Sequence, residues 1–404
     1  MKQYCNTVSN FLERIYERKK HSLWTWKYSS VLLINILNGL ALYISNPIMT
    51  KYLVAHGVGF EFTGIISSLL SWIAMGFRPF SGAMSDRMNK KRLMYASYLL
   101  TAVCLILYTT VGDVRMIILV RVLHGIAFAV SGTISMSFAI EFIPKDKMAE
   151  GISYLGMGTI VGSMLGPQLG TIIFDSIGID YVFYASAILC VSCLLCLSII
   201  RAESDNQTAV QTEKLKFENF FAKELLFYVI LIAILTLGNG IISYYLVDFG
   251  ESRNIQNIAL FFTVYSIALL MVKPFVGKLQ DRMGIKFILY PIFIIYIIGV
   301  VILAKAYALL PVLIAAVCKA IGQGNAAPAI QAEAVKSMSL QRRGVAISTC
   351  FIGQDIGNAI GPIYSSFTTS MLGYEQMFLL YAGLLAIGLL AYLLHNKRKR
   401  GNFI

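Results

Sequence analysis

Twelve predominantly apolar stretches, each about as long as a helix needs to cross a bilayer, follow one another along this chain. A hydrocarbon core about 30 Å thick takes roughly 20 residues of helix. The stretches run over 28–50, 62–84, 93–111, 116–140, 148–174, 181–200, 225–247, 257–277, 285–304, 308–335, 344–370 and 375–395. In lipid every backbone N–H and C=O needs a partner within the protein, so such runs become helices. Only 14% of the 404 residues are charged and 57% are hydrophobic. Soluble domains average about 25% charged residues, so this chain cannot cover a water-facing surface. The expected fold is all-α integral membrane, with twelve transmembrane helices.

Lys and Arg set the orientation, because they concentrate on the cytoplasmic side. With the N-terminus inside, 26 of the 34 Lys and Arg residues fall in inner segments. Four lie in outer loops (Lys51, Arg115, Arg253, Lys305) and four within spans (Arg78, Arg121, Lys273, Lys319). Both termini are therefore expected in the cytosol. The net charge of +13 belongs to topology, and no nucleic-acid partner is needed to explain it. Met1 to Lys20 is polar and mixed in charge, so no cleaved signal peptide is expected there. The expected layout begins with a cytosolic tail over 1–27, in which Phe11, Ile15, Leu23, Trp24 and Trp26 make an amphipathic pattern. A six-helix bundle over 28–200, a polar linker over 201–224, a second six-helix bundle over 225–395 and a basic tail over 396–404 follow.

The two halves repeat each other. Arg78-Pro79-Phe80 leads into Gly82, Asp86, Arg87 and Met88; 195 positions later, Lys273-Pro274-Phe275 leads into Gly277, Asp281, Arg282 and Met283. Gly162, Gly166 and Pro167 recur at the same offset as Gly357, Gly361 and Pro362. One offset shared by two unlike motifs marks the halves as copies of one unit. They are expected to superpose about a pseudo-twofold axis along the membrane normal, with Asp86 and Asp281 on equivalent sites. Gly82 allows a neighbouring backbone to come close. Asp86 ends its helix, where a carboxylate can accept bonds from the N–H groups that open another helix. Gly162, Gly166, Pro167 and Gly170 make small-xxx-small spacing with a helix-bending proline.

The loop GAMSDRMNKKR, with Gly82, Asp86, Arg87, Lys91 and Arg92, resembles the signature loop of the major facilitator superfamily. GSMLGPQLG (Gly162 to Gly170) and RVLHG (Arg121 to Gly125) resemble the fifth- and fourth-helix motifs of that superfamily's twelve-helix drug:proton antiporters. Asn89, Thr171 and Ser153 depart from the glycines of those patterns. The resemblance implies two pseudo-symmetric six-helix bundles and transport by alternating access. It implies a gating loop in which Asp86 meets the start of span 11 near Gly344, with Asp281 and Arg282 as the repeat copy. It also implies a part for Arg121 in proton traffic or helix-4 coupling; snorkelling to the surface is the plainer reading of that residue.

Polar groups at depth are costly in lipid and mark a pathway. Counting ~1.5 Å per residue puts Asn38, Lys319 and Asp355 roughly 15 Å deep, near the midplane. Asn35 and Asn38 share a face of span 1 that Ser45 continues, Asn239 and Ser243 one of span 7, Lys319 and Gln323 one of span 10, and Asp355 and Asn358 one of span 11. Repeat-built transporters place their substrate site near the midplane between the halves, so these residues form the expected cavity set. Interhelical hydrogen bonding explains the asparagines equally well. Asp355 and Lys319, opposite charges at one depth, are expected to pair or to share a water-filled cavity, with Lys319 either the partner of Asp355 or an anchor for an anionic substrate group. Asp355, Arg121 and Glu141 are the candidates for proton coupling.

Cys190, Cys193 and Cys196 form a CxxCxxC that reads better as one packed helix stripe than as a metal site. His21, His56, His124 and His395 are scattered, and no metal-protease motif, nucleophile elbow or phosphate-binding loop occurs. A membrane-embedded enzyme, ATP as the energy source, and a cofactor are therefore not expected. The expected function is proton-coupled export of small organic compounds from the plasma (cytoplasmic) membrane by a monomer whose partners are substrate, protons and lipid. Proton-coupled uptake is the alternative.

Overall fold

A computed structural model of the protein describes residues 23–46, 48–200, 220–258 and 260–401. The amphipathic pattern at Phe11 and Ile15 and most of the linker expected over 201–224 lie outside the described residues. Among the described residues every regular element is helical. Spanning helices are labelled α1 to α12. The first half holds α1 (Trp26–Ser45), α2 (Phe60–Arg87), α3 (Lys90–Thr110), α4 (Val114–Ile140), α5 (Met148–Leu155 continued by Met157–Ile177) and α6 (Ile179–Ile199). The second holds α7 (Leu226–Ser252), α8 (Leu260–Met283), α9 (Ile285–Ala304) and α10 (Leu309–Ile321 continued by Gln323–Ser337). The last stretch, Arg343–Gly401, is broken at Gly373 into α11 (343–372) and α12 (374–401). A short helix, Met49–Ala55, lies between α1 and α2.

Punctuation residues recur with the repeat. Gly178 (φ 111°) joins α5 to α6 and Gly373 (φ 80°) joins α11 to α12, again 195 positions apart. A side chain is strained at such φ, so glycine lets each helix reverse into the next without a loop. Asn89, which departs from the resembled pattern, has its own use: its side chain accepts a hydrogen bond from Arg92 N (2.9 Å) and caps α3.

Two of the expected spans differ in detail. Spans 5 and 10, expected as continuous over 148–174 and 308–335, are each broken, at Gly156 and Gly322. Pro167 and Pro328 sit inside helices. Gly322 breaks α10 where Tyr296 of α9 presses in, 2.5 Å from where a Cβ would stand.

Within each half, one pair of helices packs backbone to backbone. In the first half Gly158, Gly162, Gly166 and Gly170 of α5 lie against Asn35, Gly39, Tyr43 and Ile44 of α1. In the second, Gly353 and Gly361 of α11 lie against Val229, Leu237 and Gly240 of α7. Spacing of four residues keeps a stripe on one helix face, and small residues allow the close approach from which membrane helices gain dispersion contact. The stripes fix the rotation of α5 and α11, and thereby which of their residues face the other half.

A methyl at Gly162 would stand 2.6 Å from the backbone carbon of Gly39, which cannot swing aside. Gly162→Ala is expected to lose about 1–3 kcal/mol to overpacking, read as a lower thermal-unfolding midpoint in detergent. Gly76→Ala, with open space around its Cβ, should melt like the parent protein. Equal melting of both variants would contradict the close approach.

Candidate functional site

The two halves meet through reciprocal latches on the face that carries Asp86 and Asp281. Asp86 accepts from Gly344 N (2.6 Å) and Val345 N (2.9 Å) at the start of α11. Asp281 accepts from Ala149 N (3.0 Å) and Glu150 N (2.9 Å) at the start of α5. Gly344 and Val345 stand 195 positions beyond Ala149 and Glu150, so each half grips the other at equivalent positions. The first N–H groups of a helix have no partner within it and carry the positive end of its dipole, which a carboxylate satisfies twice over. Lys336 adds an ion pair to Asp281 (2.8 Å). One turn inward, Gly82 packs on Gly344 and Ser348, and Gly277 packs on Ala149, Glu150 and Ser153. Ser153, a departure from the resembled pattern, is thus the repeat partner of Ser348, and both face a glycine of the opposite half.

Two turns inward the symmetry breaks. Arg78, on α2, is buried, and its Nε donates to Asp355 Oδ2 of α11 at 3.0 Å. Its guanidinium lies over the rings of Phe351 (4.5 Å) and Phe128 (5.6 Å). Its Nη1 reaches Ala129 O and Thr133 Oγ1, both at 3.4 Å. The repeat equivalents of Arg78, Phe351 and Asp355 are Lys273, Gly156 and Ile160. Lys273 is also buried between the halves, against Gly156, but the position equivalent to Asp355 holds Ile160 in place of an acid.

Asp355 therefore does not pair with Lys319 as equal depth suggested. Gly353 and Gly361 turn one face of α11 onto α7, and Asp355, two residues from Gly353, points about 200° away, out of its own half and into α2. Lys319 instead donates to Asn239 Oδ1 (2.8 Å) and Gln323 Oε1 (3.2 Å) and lies 3.9 Å from the ring centroid of Tyr265. Three expected cavity residues, Asn239, Lys319 and Gln323, come together in this way. Ser243 and Asn358 are exposed and stand apart from that cluster's hydrogen bonds.

The span 1 asparagines face their own bundle. Asn35 Nδ2 donates to Ser135 Oγ of α4 (3.1 Å). Asn38 lines a cavity of about 10 Å³ with Ser45, Thr101, His124, Ser131 and Cys190, room for roughly one water. Cys190 and Cys193 are buried in the same helix packing. Arg121 does not snorkel: it is 2% exposed and donates to Ser67 O (2.7 Å) and Asn46 Oδ1 (3.4 Å). Glu141 lies at the latch-face end of α4, paired with Lys90, and not at membrane depth. Lys91 donates to Ile200 O (2.6 Å), while Arg87 and Arg92 are exposed. On the same face Arg342 bonds Glu224 at 2.8 Å and holds that carboxyl below its ordinary range.

Arg78 and Lys273 are charges within spans to which the sequence alone assigns no role. The signal was present: both halves carry a cation eight residues before the motif Asp, roughly 12 Å further into the membrane and on nearly the same helix face.

Comparisons with known proteins agree with this architecture. A family model described as Major Facilitator Superfamily matches residues 31–304 and 229–404. "Multidrug resistance protein MdtG" of Escherichia coli (strain SMS-3-5 / SECEC) is 24% identical over 378 residues, covering 89% of this chain and 92% of that protein. The protein of the same name in strain K12 / DH10B matches to the same extent. Similar solved structures include the human organic anion transporter MFSD10 (TETRAN), with TM-score 0.73, 16% identity, and coverage of 91% of this chain and 98% of that one. A bacterial homologue of the iron transporter ferroportin in an outward-facing state has TM-score 0.74 and 13% identity over 91% and 98% of the two chains. FucP in the outward conformation has TM-score 0.72 and 12% identity over 92% and 98%.

Removing one partner of a buried ion pair costs about 3–5 kcal/mol. With the Asp355 side chain 20% exposed, the lower end of that range is expected. Arg78→Met and Asp355→Leu should each lower the unfolding midpoint, and the double variant should recover part of the loss. Purely additive losses would show that the two charges do not support each other.

Proposed function

Because the chain belongs to the Major Facilitator Superfamily, a family of multi-pass membrane transporters and not of enzymes, we propose that it exports small organic compounds across the cytoplasmic membrane in exchange for protons. The observation that carries alternating access is the pair of reciprocal latches. A face held shut by contacts at helix starts opens when four hydrogen bonds and two glycine contacts part together, so shut and open are discrete states. Export is supported by the multidrug resistance relatives, which match most of the chain. In this reading the latch face is cytosolic, which the Lys and Arg distribution supports, both termini are cytosolic, and the protein works as a monomer. With that orientation, the engaged latches close the cytosolic side.

Coupling runs through Asp355. When ionised it holds Arg78 across the seam and stabilises the shut cytosolic face. A proton arriving from outside neutralises Asp355, leaves Arg78 with only its contacts to Ala129 O and Thr133 Oγ1, and favours inward opening. Substrate then binds from the cytosol, the proton leaves to that side, and the restored ion pair closes the face again. Arg121 and Glu141, engaged with Ser67 and Lys90, are positioned for structural support instead.

Everted vesicles energised by a pH gradient should accumulate substrate from a panel of labelled organic compounds. Asp355→Asn should lose gradient-driven accumulation at least tenfold while keeping substrate exchange at zero gradient. Full gradient-driven transport in Asp355→Asn would remove it from coupling, and accumulation only in right-side-out vesicles would mean uptake. Asp86→Asn, which keeps shape but loses charge, should raise thiol labelling of cysteines introduced beside Gly344. Unchanged labelling would return the loop to a purely topological role.

A further inference from the structure

Lys273 and Lys319 are two cations that the export cycle above leaves unused. Lys273 is 4% exposed and Lys319 5%. Neither forms an ion pair with a described residue. Lys319 has two amide oxygens and an aromatic face as partners, which orient an ammonium but leave its charge uncancelled. Lys273 makes no hydrogen bond to a described residue. Its repeat equivalent, Arg78, is neutralised by Asp355; the matching position opposite Lys273 holds Ile160. The chain thus carries the cation in both halves and its counter-charge in only one.

The two lysines lie along one seam. Ile160 of α5, Leu269 of α8 and Ala320 of α10 form a buried apolar cluster there, with Tyr265 against it. Ala320 adjoins Lys319 in sequence, and Lys273 stands one turn beyond Leu269 on α8. The seam therefore reads as cation, apolar patch, cation. Burying an ammonium without a counter-charge is expensive in a membrane, and neither lysine reaches the surface, so snorkelling does not relieve the cost. Structural pairing is absent among the described residues. A bound anion would supply the missing charge, and the apolar patch would cover its body.

We propose that this α5–α8–α10 seam is the substrate site, and that it selects amphiphilic organic anions: an apolar ring system bearing a carboxylate, sulfonate or phosphonate. This rests on the transporter reading above and names its substrate class. Lys273, set against Gly156 while the latches hold, meets the anion when the cytosolic face opens. Lys319, deeper along the seam and steadied by Asn239 and Gln323, holds it near the midplane.

The test is binding to the full chain in nanodiscs, by equilibrium dialysis, with two probes that share an apolar body: naphthalene-2-sulfonate and the cation (2-naphthylmethyl)trimethylammonium. The anion is expected to bind at least tenfold more tightly than the cation. Lys273→Met and Lys319→Met should each weaken anion binding at least tenfold, while Lys273→Arg keeps it within about threefold. Ile160→Asp restores the symmetric acid and should weaken anion binding as much as Lys273→Met while leaving the lysine in place. Monodisperse gel filtration of each variant establishes that it is folded. Absence of anion binding, equal or tighter binding of the cation, or full anion affinity in both methionine variants would overturn the proposal. Binding needs neither gradient nor export, so failure of proton-driven export leaves this result readable, and the reverse holds too.

Discussion

A carboxylate set against the first two free N–H groups of a helix is the contact on which this structure turns. It needs no side chain from the partner helix, only a helix start in the right place, so it fixes position along the membrane normal as well as distance. Two such contacts, Asp86 on α11 and Asp281 on α5, hold six-helix bundles together at one end. The glycine one turn inward then has to be a glycine, because the same register brings Ser348 or Ser153 onto it. Latch and close approach are one device, and it is duplicated because the chain is.

Rotation about each helix axis comes from a second constraint, the glycine stripes. In lipid there is little hydrophobic drive between helices, so close packing of small residues decides which faces meet. Gly158 to Gly170 lock α5 onto α1, and Gly353 to Gly361 lock α11 onto α7. Once those faces are taken, Ile160 and Asp355 have no choice but to look across to the other half. Helix rotation, not depth, thereby selects the residues of the interface.

This explains what could be read from the residues alone. Apolar length gave the spans, and the 195-residue offset gave the duplication, the latch aspartates and their glycines. Depth, counted at ~1.5 Å per residue, put Asp355 and Lys319 at one level but says nothing of azimuth, and the two do not pair. The stripe of Gly353, Gly357 and Gly361 carried the missing angle. Arg121 looked free to reach the surface because Ser67 O and Asn46, its acceptors, lie on other helices. The breaks at Gly156 and Gly322 were hidden among many glycines, since a glycine inside a membrane helix marks packing as often as a break. Asn239, Lys319 and Gln323 are polar residues within spans and do meet, whereas Asn35 and Asn38, polar in the same way, face their own bundle.

Duplication followed by local loss of symmetry accounts for the remaining polar residues. A strict copy would give two cation–carboxylate pairs across the seam, each stabilising the same shut state and each needing neutralisation before opening. Two pairs would deepen the shut state, and a two-state transporter works only when its states lie within a few kcal/mol of each other. Replacing one acid by Ile160 removes half of that bias. It also leaves Lys273 buried with its charge uncancelled, beside an apolar patch and one helix away from Lys319. The α2–α11 side of the seam retains the groups suited to switching, a carboxylate and its cation. The α5–α8 side retains the groups suited to holding an oppositely charged guest. On the proposed reading, switching and binding are thus separated by the pseudo-twofold axis, with α5 and α11 gripped at their starts by the same kind of latch.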